Sequence, residues 1–174
     1  MTTNATSVAE AIATKAHAGQ VDKGGADYIG HPRRIAAKVQ EIPGFTTLSQ
    51  AEQISAVEAA WLHDVIEDTD ITEAELSEAG ISDLAIEIVD LLTRNSENPA
   101  RDGDAYYLNV KAHPVARLVK IADIADNSNH SRKAQMIANG KSVKPGKYEH
   151  ALAMLELTAD EQDWFDKDIQ VVVH

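Results

Sequence analysis

The sequence contains no cysteine, which excludes disulfides and thiolate metal ligands. A tightly held metal would have to be bound through imidazole nitrogen and carboxylate oxygen. There is no run approaching the roughly 18 consecutive apolar residues that a membrane-spanning helix needs. The opening residues MTTNATSVAEA also lack the basic and apolar blocks of a secretion signal, so a cytoplasmic protein without a membrane partner is expected. Positive charge is scarce: 16 Lys and Arg stand against 28 Asp and Glu, a formal net charge of −12. Such a surface repels nucleic acid and anionic membranes, both of them polyanions. A small phosphorylated molecule stays compatible if a bound cation or a local group of basic side chains offsets the repulsion.

The 174 residues, 44% of them apolar and 25% charged, suit one folded domain spanning 1–174. A homo-oligomer is compatible with this composition. Helix start signals dominate the chain. A Ser or Thr followed three residues later by Glu, the reciprocal capping pattern, occurs at Ser7 with Glu10, Ser49 with Glu52, Thr72 with Glu75 and Thr158 with Glu161. The first helix is expected from Ser7 to a stop near Gly19, and the second from Pro32, whose missing N–H suits the first helical position. The third starts at Ser49 and runs through Ile54, Val57, Trp61 and Leu62 into His63-Asp64. Further helices are expected at 72–79, 83–94, 103–112, 114–127, 132–139, 147–156 and 159–167. Breaks fall at Gly80, Pro99, Pro114, Gly140 and Pro145-Gly146. The β-like run Val171-Val172-Val173 is too isolated for a sheet, and Asn95–Gly103 reads as a mobile loop. The expected fold class is all-α.

Two helices that are otherwise core-directed are interrupted by polar groups. His63-Asp64 follows the apolar stretch Ala59-Ala60-Trp61-Leu62, and Asp123 closes Leu118-Val119-Lys120-Ile121-Ala122-Asp123. Unpaired charge delivered inside a bundle is costly, and a divalent cation removes that cost. If the third helix continues, Glu67 and Asp68 lie one turn beyond His63 and Asp64 on the same faces, and Asn127 shares the face of Asp123. With His31 added, two imidazoles and two carboxylates make a set suited to Mn²⁺, Fe²⁺ or Zn²⁺ with room for water. Other polar residues take plainer readings. Asp70 is a solvated helix end, His113 and His174 are surface or terminal groups, and His150 is an ordinary helix residue. His17 sits near a helix end beside the Gly19–Gly25 loop, where a site role stays open. Trp61 and Trp164 are read as core or interface residues.

The ordered motifs His17-Ala-Gly-Gln20, Lys23-Gly-Gly, Tyr28-Ile-Gly-His31-Pro32, Leu62-His63-Asp64-Val65-Ile66-Glu67-Asp68-Thr69 and Val119-Lys120-Ile-Ala-Asp123 together resemble the HD hydrolase domain of RelA/SpoT homologues. The match is closer to its stand-alone version, the small alarmone hydrolases, and it runs from about residue 8 to about residue 150. The resemblance implies an HD-domain helical bundle holding one Mn²⁺ on His31, His63, Asp64 and Asp123. It implies that Glu67 and Asp68 orient or deprotonate the attacking water, and that a phosphorylated nucleotide is the partner. The family reaction removes the 3′-pyrophosphate of ppGpp or pppGpp. Asn127 matches a substrate-contacting asparagine, Tyr148 lies near a tyrosine that packs on the nucleotide, and Lys23 belongs to the early loop. Lys23, Lys120, Lys144 and Lys147 are candidates to neutralise the pyrophosphate.

The chain departs from the family pattern where the base would be read. Asp22 and Gly24 stand where the family has Arg and Ser beside Lys23, and Ile124-Ala125-Asp126 replaces Arg-Leu-His between Asp123 and Asn127. An adenine alarmone is therefore an alternative substrate. The competing functions are an HD-type nucleotide phosphomonoesterase or phosphodiesterase and a non-catalytic alarmone sensor.

Overall fold

Ser49 starts the helix around which the molecule is built. Its hydroxyl accepts from the Glu52 N–H while the Glu52 carboxylate accepts from the Ser49 N–H at 2.8 Å, closing a capping box. The helix that follows, Gln50–Leu62, is buried on every side from Ser55 to Leu62. In the computed structural model, which describes residues 2–142 and 144–173, eleven α-helices succeed one another. They are α1 (Thr2–Ala16), α2 (Gly30–Lys38), α3 (Gln50–Leu62), α4 (Val65–Asp68), α5 (Glu73–Glu78), α6 (Asp83–Leu92), α7 (Gly103–Ala112), α8 (Pro114–Ser128), α9 (His130–Ala138), α10 (Lys147–Leu155) and α11 (Ala159–Asp168). No strand occurs among the described residues beyond an isolated bridge between Val21 and Asp27. His174 lies outside the described residues. Among those residues no helix is long and apolar enough to cross a membrane.

Helix α3 packs against α1, α2, α6 and α8, and α8 in turn touches α2, α6, α7, α9 and α10. Ala56, Ala59 and Ala60 on α3 and Ala116, Ala122 and Ala125 on α8 are all fully buried. Their short side chains let other helices approach closely, while Leu62, Ile121, Ile88 and Ile35 fill the remaining space. Each such large apolar side chain contributes about 1.5–3 kcal/mol on burial. Because α3 is enclosed from Ser55 to Leu62 and α8 is buried along most of Val115–Asp126, polar residues within or directly after those stretches are brought inside. That is how this fold delivers His63, Asp64 and Asp123 to one place.

The boxes expected at Thr72 and Thr158 also form. Ser7 is not a helix start, because α1 already begins at Thr2 and passes through it. Helix α2 begins at Gly30, so Pro32 is its third residue and His31 lies inside the first turn. Proline is tolerated there because no N–H of the first turn has an intrahelical acceptor. Helix α3 does not continue through Asp68. It ends at Leu62, Asp64 takes φ −105° and ψ −2°, and a single turn, α4, follows. His113 is more than a surface group: its ring accepts from the Ala116 N–H at 3.1 Å and caps α8, with Pro114 at the first helical position.

The segment Asn95–Gly103, expected to be mobile, is fastened. Arg101 pairs with Asp90 at 2.6 Å, and Asn109 donates to the Ala100 carbonyl at 2.8 Å. Val171-Val172-Val173 forms no strand. Its backbone is held by Asn129 donating to the Val171 carbonyl and by the Val173 N–H donating to the Ser131 hydroxyl.

Candidate metal and phosphate site

His63 closes α3, and its Nδ1–H donates to the Ala60 carbonyl at 2.9 Å. That bond leaves Nε2 as a lone pair; the atom is buried and makes no hydrogen bond, yet it lies 2.9 Å from the Asp64 Oδ2. Two acceptors so close repel unless a cation lies between them. His31 repeats the arrangement from α2. Its Nδ1 donates to Asp126 at 2.7 Å, and its Nε2 faces Asp123 Oδ1 at 3.3 Å and Asp64 Oδ2 at 3.9 Å. The His63 Nε2 is 4.0 Å from the same Asp123 oxygen. Ligands about 2.1 Å from a common ion and at right angles stand about 3 Å apart. Ligand atoms of His31, His63 and Asp123 all lie within 4.8 Å of one another. Two imidazole nitrogens and two carboxylates at these separations fit a divalent ion, and the buried, unpartnered His63 Nε2 is the direct sign of it.

The charge balance points the same way. Burial opposes the charged form of His63, but Asp64 and Asp123 outweigh it and push the imidazole up to about 9. Burial pushes His31 down instead. Burial opposes the ionised forms of Asp64 and Asp123 too. The His63 imidazole for Asp64, and Lys120 for Asp123, nevertheless hold both carboxyls below the usual range. Without a metal, a proton on His63 is the cation that balances the cluster.

Around these four groups the helices close a cavity of about 390 Å³. Every site residue expected from the sequence lines it: His31, His63, Asp64, Asp123, Glu67, Asp68, Lys23, Asn127 and Tyr148. The single-turn α4 adds the exposed Glu67 and Asp68 to its lining, where Glu67 accepts the Arg94 N–H at 2.9 Å. Removal from water raises both carboxyls, and the charge of Asp64 adds to it. Asn127 donates to Asp123 Oδ1 at 2.6 Å, so part of its amide steadies a carboxylate rather than meeting substrate.

Cations line the same cavity. Burial and then the charges of Lys23, Arg94 and Lys120 push the Lys147 ammonium down, so these groups gather around one space. Lys120 is already paired with Asp123 at 2.8 Å. Lys144 lines a neighbouring cleft with Arg94 and His150. Of the four lysines expected to meet phosphate, Lys23 and Lys147 therefore line this cavity without a carboxylate partner among the described residues.

Several cavity residues escaped the sequence reading. Tyr28 donates to Asp64 Oδ2, and burial holds its phenol far above the ordinary value, so it remains a donor. Arg94 lies over the Tyr106 ring at 4.3 Å and donates to the Tyr107 hydroxyl at 2.7 Å, which aims the guanidinium into the cavity. Asp126 and Arg132 form a buried pair. The only local signal for Asp126 was a second acid in an apolar helix three residues after Asp123, and neither arginine sits in a recognisable pattern. His17 is buried behind the site, its Nδ1 2.9 Å from Gln20 Oε1 and its ring 4.7 Å from that of Tyr28. Asp70 is exposed, as expected.

No family model and no curated protein matches the sequence. Among solved structures, a metazoan ortholog of SpoT that hydrolyses ppGpp and plays a role in starvation responses superposes with a TM-score of 0.67. The match covers 95% of this chain and 93% of that one at 18% identity. The all-α bundle implied by the motif resemblance is thus the fold of that protein as well.

Proposed function

We propose that this chain is a divalent-metal-dependent phosphohydrolase that removes the 3′-pyrophosphate from a (p)ppGpp-like nucleotide. The observation that carries the reading is the convergence of His31 Nε2, His63 Nε2, Asp64 Oδ2 and Asp123 Oδ1, with His63 Nε2 buried and without a hydrogen-bond partner. They line a cavity that Lys23, Arg94 and Lys147 line as well. The shared fold with a ppGpp-hydrolysing protein supports the same reading, as does the order of the motifs.

His31, His63, Asp64 and Asp123 would hold the ion, and their nitrogen and oxygen donors suit Mn²⁺, with Fe²⁺ or Zn²⁺ as alternatives. When bound, such an ion supplies positive charge that acidifies water and offsets charge on phosphoryl oxygens. In the hydrolysis the water oxygen bonds to phosphorus as the bond from phosphorus to the ribose 3′-oxygen breaks. The water proton passes to Glu67 or Asp68, and the departing ribose 3′-oxygen takes up a proton from solvent, so that the products are the 3′-hydroxyl and pyrophosphate. Both carboxyls are raised above their ordinary values, which brings them nearer to the working pH of a proton acceptor. The Arg94 N–H holds Glu67 in place for that transfer. Lys23, Lys147 and Arg94 take up the negative charge of the phosphates, and Tyr148 and Asn127 bound the nucleoside end. A sensor without turnover would have no use for a raised acidic pair beside the ligand cluster.

The test is product analysis with purified protein and Mn²⁺, comparing ppGpp, ppApp, GTP, AMP and NADPH, with His63→Ala as blank. Pyrophosphate release from either alarmone, abolished in the variant, is expected, and the faster of the two substrates identifies the base preferred. Orthophosphate from simple nucleotides alone would make the chain a phosphomonoesterase instead.

A further inference from the structure

Asp126 lies on α8, one residue before Asn127, and its side chain is wholly cut off from water. Three cationic or donor groups from two other helices converge on it. Arg34 Nε donates to Oδ1 at 2.7 Å and Arg34 Nη2 to Oδ2 at 3.1 Å. Arg132 Nη1 also donates to Oδ2, and the His31 Nδ1 stands 2.7 Å from that same oxygen. Arg132 continues through Nη2 to Asp22 Oδ2 at 3.1 Å. Asp22 in turn accepts from the N–H groups of Gly24 and Ala26 at 2.8 and 3.1 Å, shaping the turn that carries Lys23.

From this we infer that Asp126 is a positioning residue that sets which nitrogen of His31 is free for the metal. Flanked by two guanidinium groups, the carboxylate is ionised and can only accept hydrogen bonds. Arg132 Nη1 also lies 3.1 Å from the His31 Nδ1 but donates to Asp126, and a lone pair on Nδ1 would be repelled by the carboxylate oxygen 2.7 Å away, so the ring proton resides on Nδ1 and the Nε2 lone pair faces the ligand cluster 3.3 Å from Asp123. An ionised acceptor behind a ligand imidazole both locks its rotation and strengthens it as a donor. An ion pair joining α2 to α8 would need only Arg34 and Asp126. The additional contact to His31 gives the carboxylate a duty toward the site. Through Arg132 and Asp22 the same carboxylate also ties the turn bearing Lys23 to the orientation of His31, so that turn and the ligand cluster share one anchor.

This inference rests on the reading of His31 as a metal ligand, and the experiment separates the two. Mn²⁺ is titrated calorimetrically into metal-stripped wild type, Asp126→Asn and His31→Ala, each checked for helix content by circular dichroism. Affinity 10–100-fold weaker in Asp126→Asn is expected, with binding lost in His31→Ala. A folded Asp126→Asn that binds Mn²⁺ as tightly as wild type overturns the positioning role and leaves the metal site standing. Wild type that binds no Mn²⁺ overturns both. Should Asp126→Asn not fold, the wild type decides. Loaded with diamagnetic Zn²⁺, it is expected to show a downfield, slowly exchanging His31 Nδ1 proton in nitrogen-correlated NMR. A His31 Nδ1 proton in fast exchange with solvent overturns the proposal.

Discussion

The Nε2 of His63 and the Oδ2 of Asp64 lie 2.9 Å apart, although the His63 ring already gives its Nδ1 hydrogen to the Ala60 carbonyl. The contact is stable only with a cation between the two atoms, and proton and metal compete for that place. The consequence is a pH dependence that reverses on metal binding. His63 is raised from 6.5 to about 9 in the folded chain, so its contribution to stability is complete below about 6.5 and is lost as pH rises through 9. His31 is lowered, so its contribution is present above 6.5 and is lost as pH falls below it. Metal-free protein is therefore expected to be most stable near pH 6.5 and to lose melting temperature towards pH 9. With Mn²⁺ present the loss should vanish or invert, because the metal needs the unprotonated ring. Melting curves from pH 6 to 9 with and without Mn²⁺ check this; parallel curves would contradict it.

Glu67→Gln keeps the shape of the cavity lining and an oxygen able to accept the Arg94 N–H, but removes the proton acceptor. Turnover of the best alarmone is expected to fall by about 10²–10⁴, with calorimetric Mn²⁺ affinity unchanged. A variant that retains full kcat would remove Glu67 from the proton transfer and leave Asp68 to be tested the same way.

Lys23 and Lys144 both belonged to the expected phosphate group, yet only Lys23 lines the main cavity. Lys23→Ala should raise KM about tenfold or more, the scale of one lost hydrogen bond to a charged group, with kcat nearly intact. Lys144→Ala should leave KM within twofold. Equal effects in steady-state kinetics would mean that the neighbouring cleft also contacts substrate.

Leu62 is the last residue of α3, fully buried and directly before His63. Leu62→Ala is expected to cost about 2–5 kcal/mol in urea unfolding. Because the cavity so created lies beside the ligand cluster, the same variant should weaken Mn²⁺ binding. Ser49→Ala, at the far end of the same helix, removes a cap and should cost about 1 kcal/mol with Mn²⁺ affinity unaltered.

Local chemistry was legible in the sequence wherever it acts over one turn. The boxes at Ser49, Thr72 and Thr158 needed only residues three apart, and they formed. Ser7 carried the same pattern, but an earlier start of α1 took the position into a helix interior. The break after Leu62 was invisible because His63 and Asp64 have no strong objection to a helix. Their backbone yields there so that both side chains can reach one point.

The sequence by itself determined an all-helical chain, the enclosed character of α3 and α8, and the polar interruptions at His63-Asp64 and Asp123 that had to meet inside. It also contained the ordered motifs from which Glu67, Asp68, Lys23, Asn127 and Tyr148 were singled out. Only the tertiary structure decided which charges answer which. Arg94 reaches Glu67 from beyond α6, and Asp126 receives His31, Arg34 and Arg132 from positions 95, 92 and 6 residues away. Spacing along a helix fixes neighbours over three or four residues. Partners for a buried charge are chosen by whichever helices pack against it, and in this chain those helices come from opposite ends of the sequence.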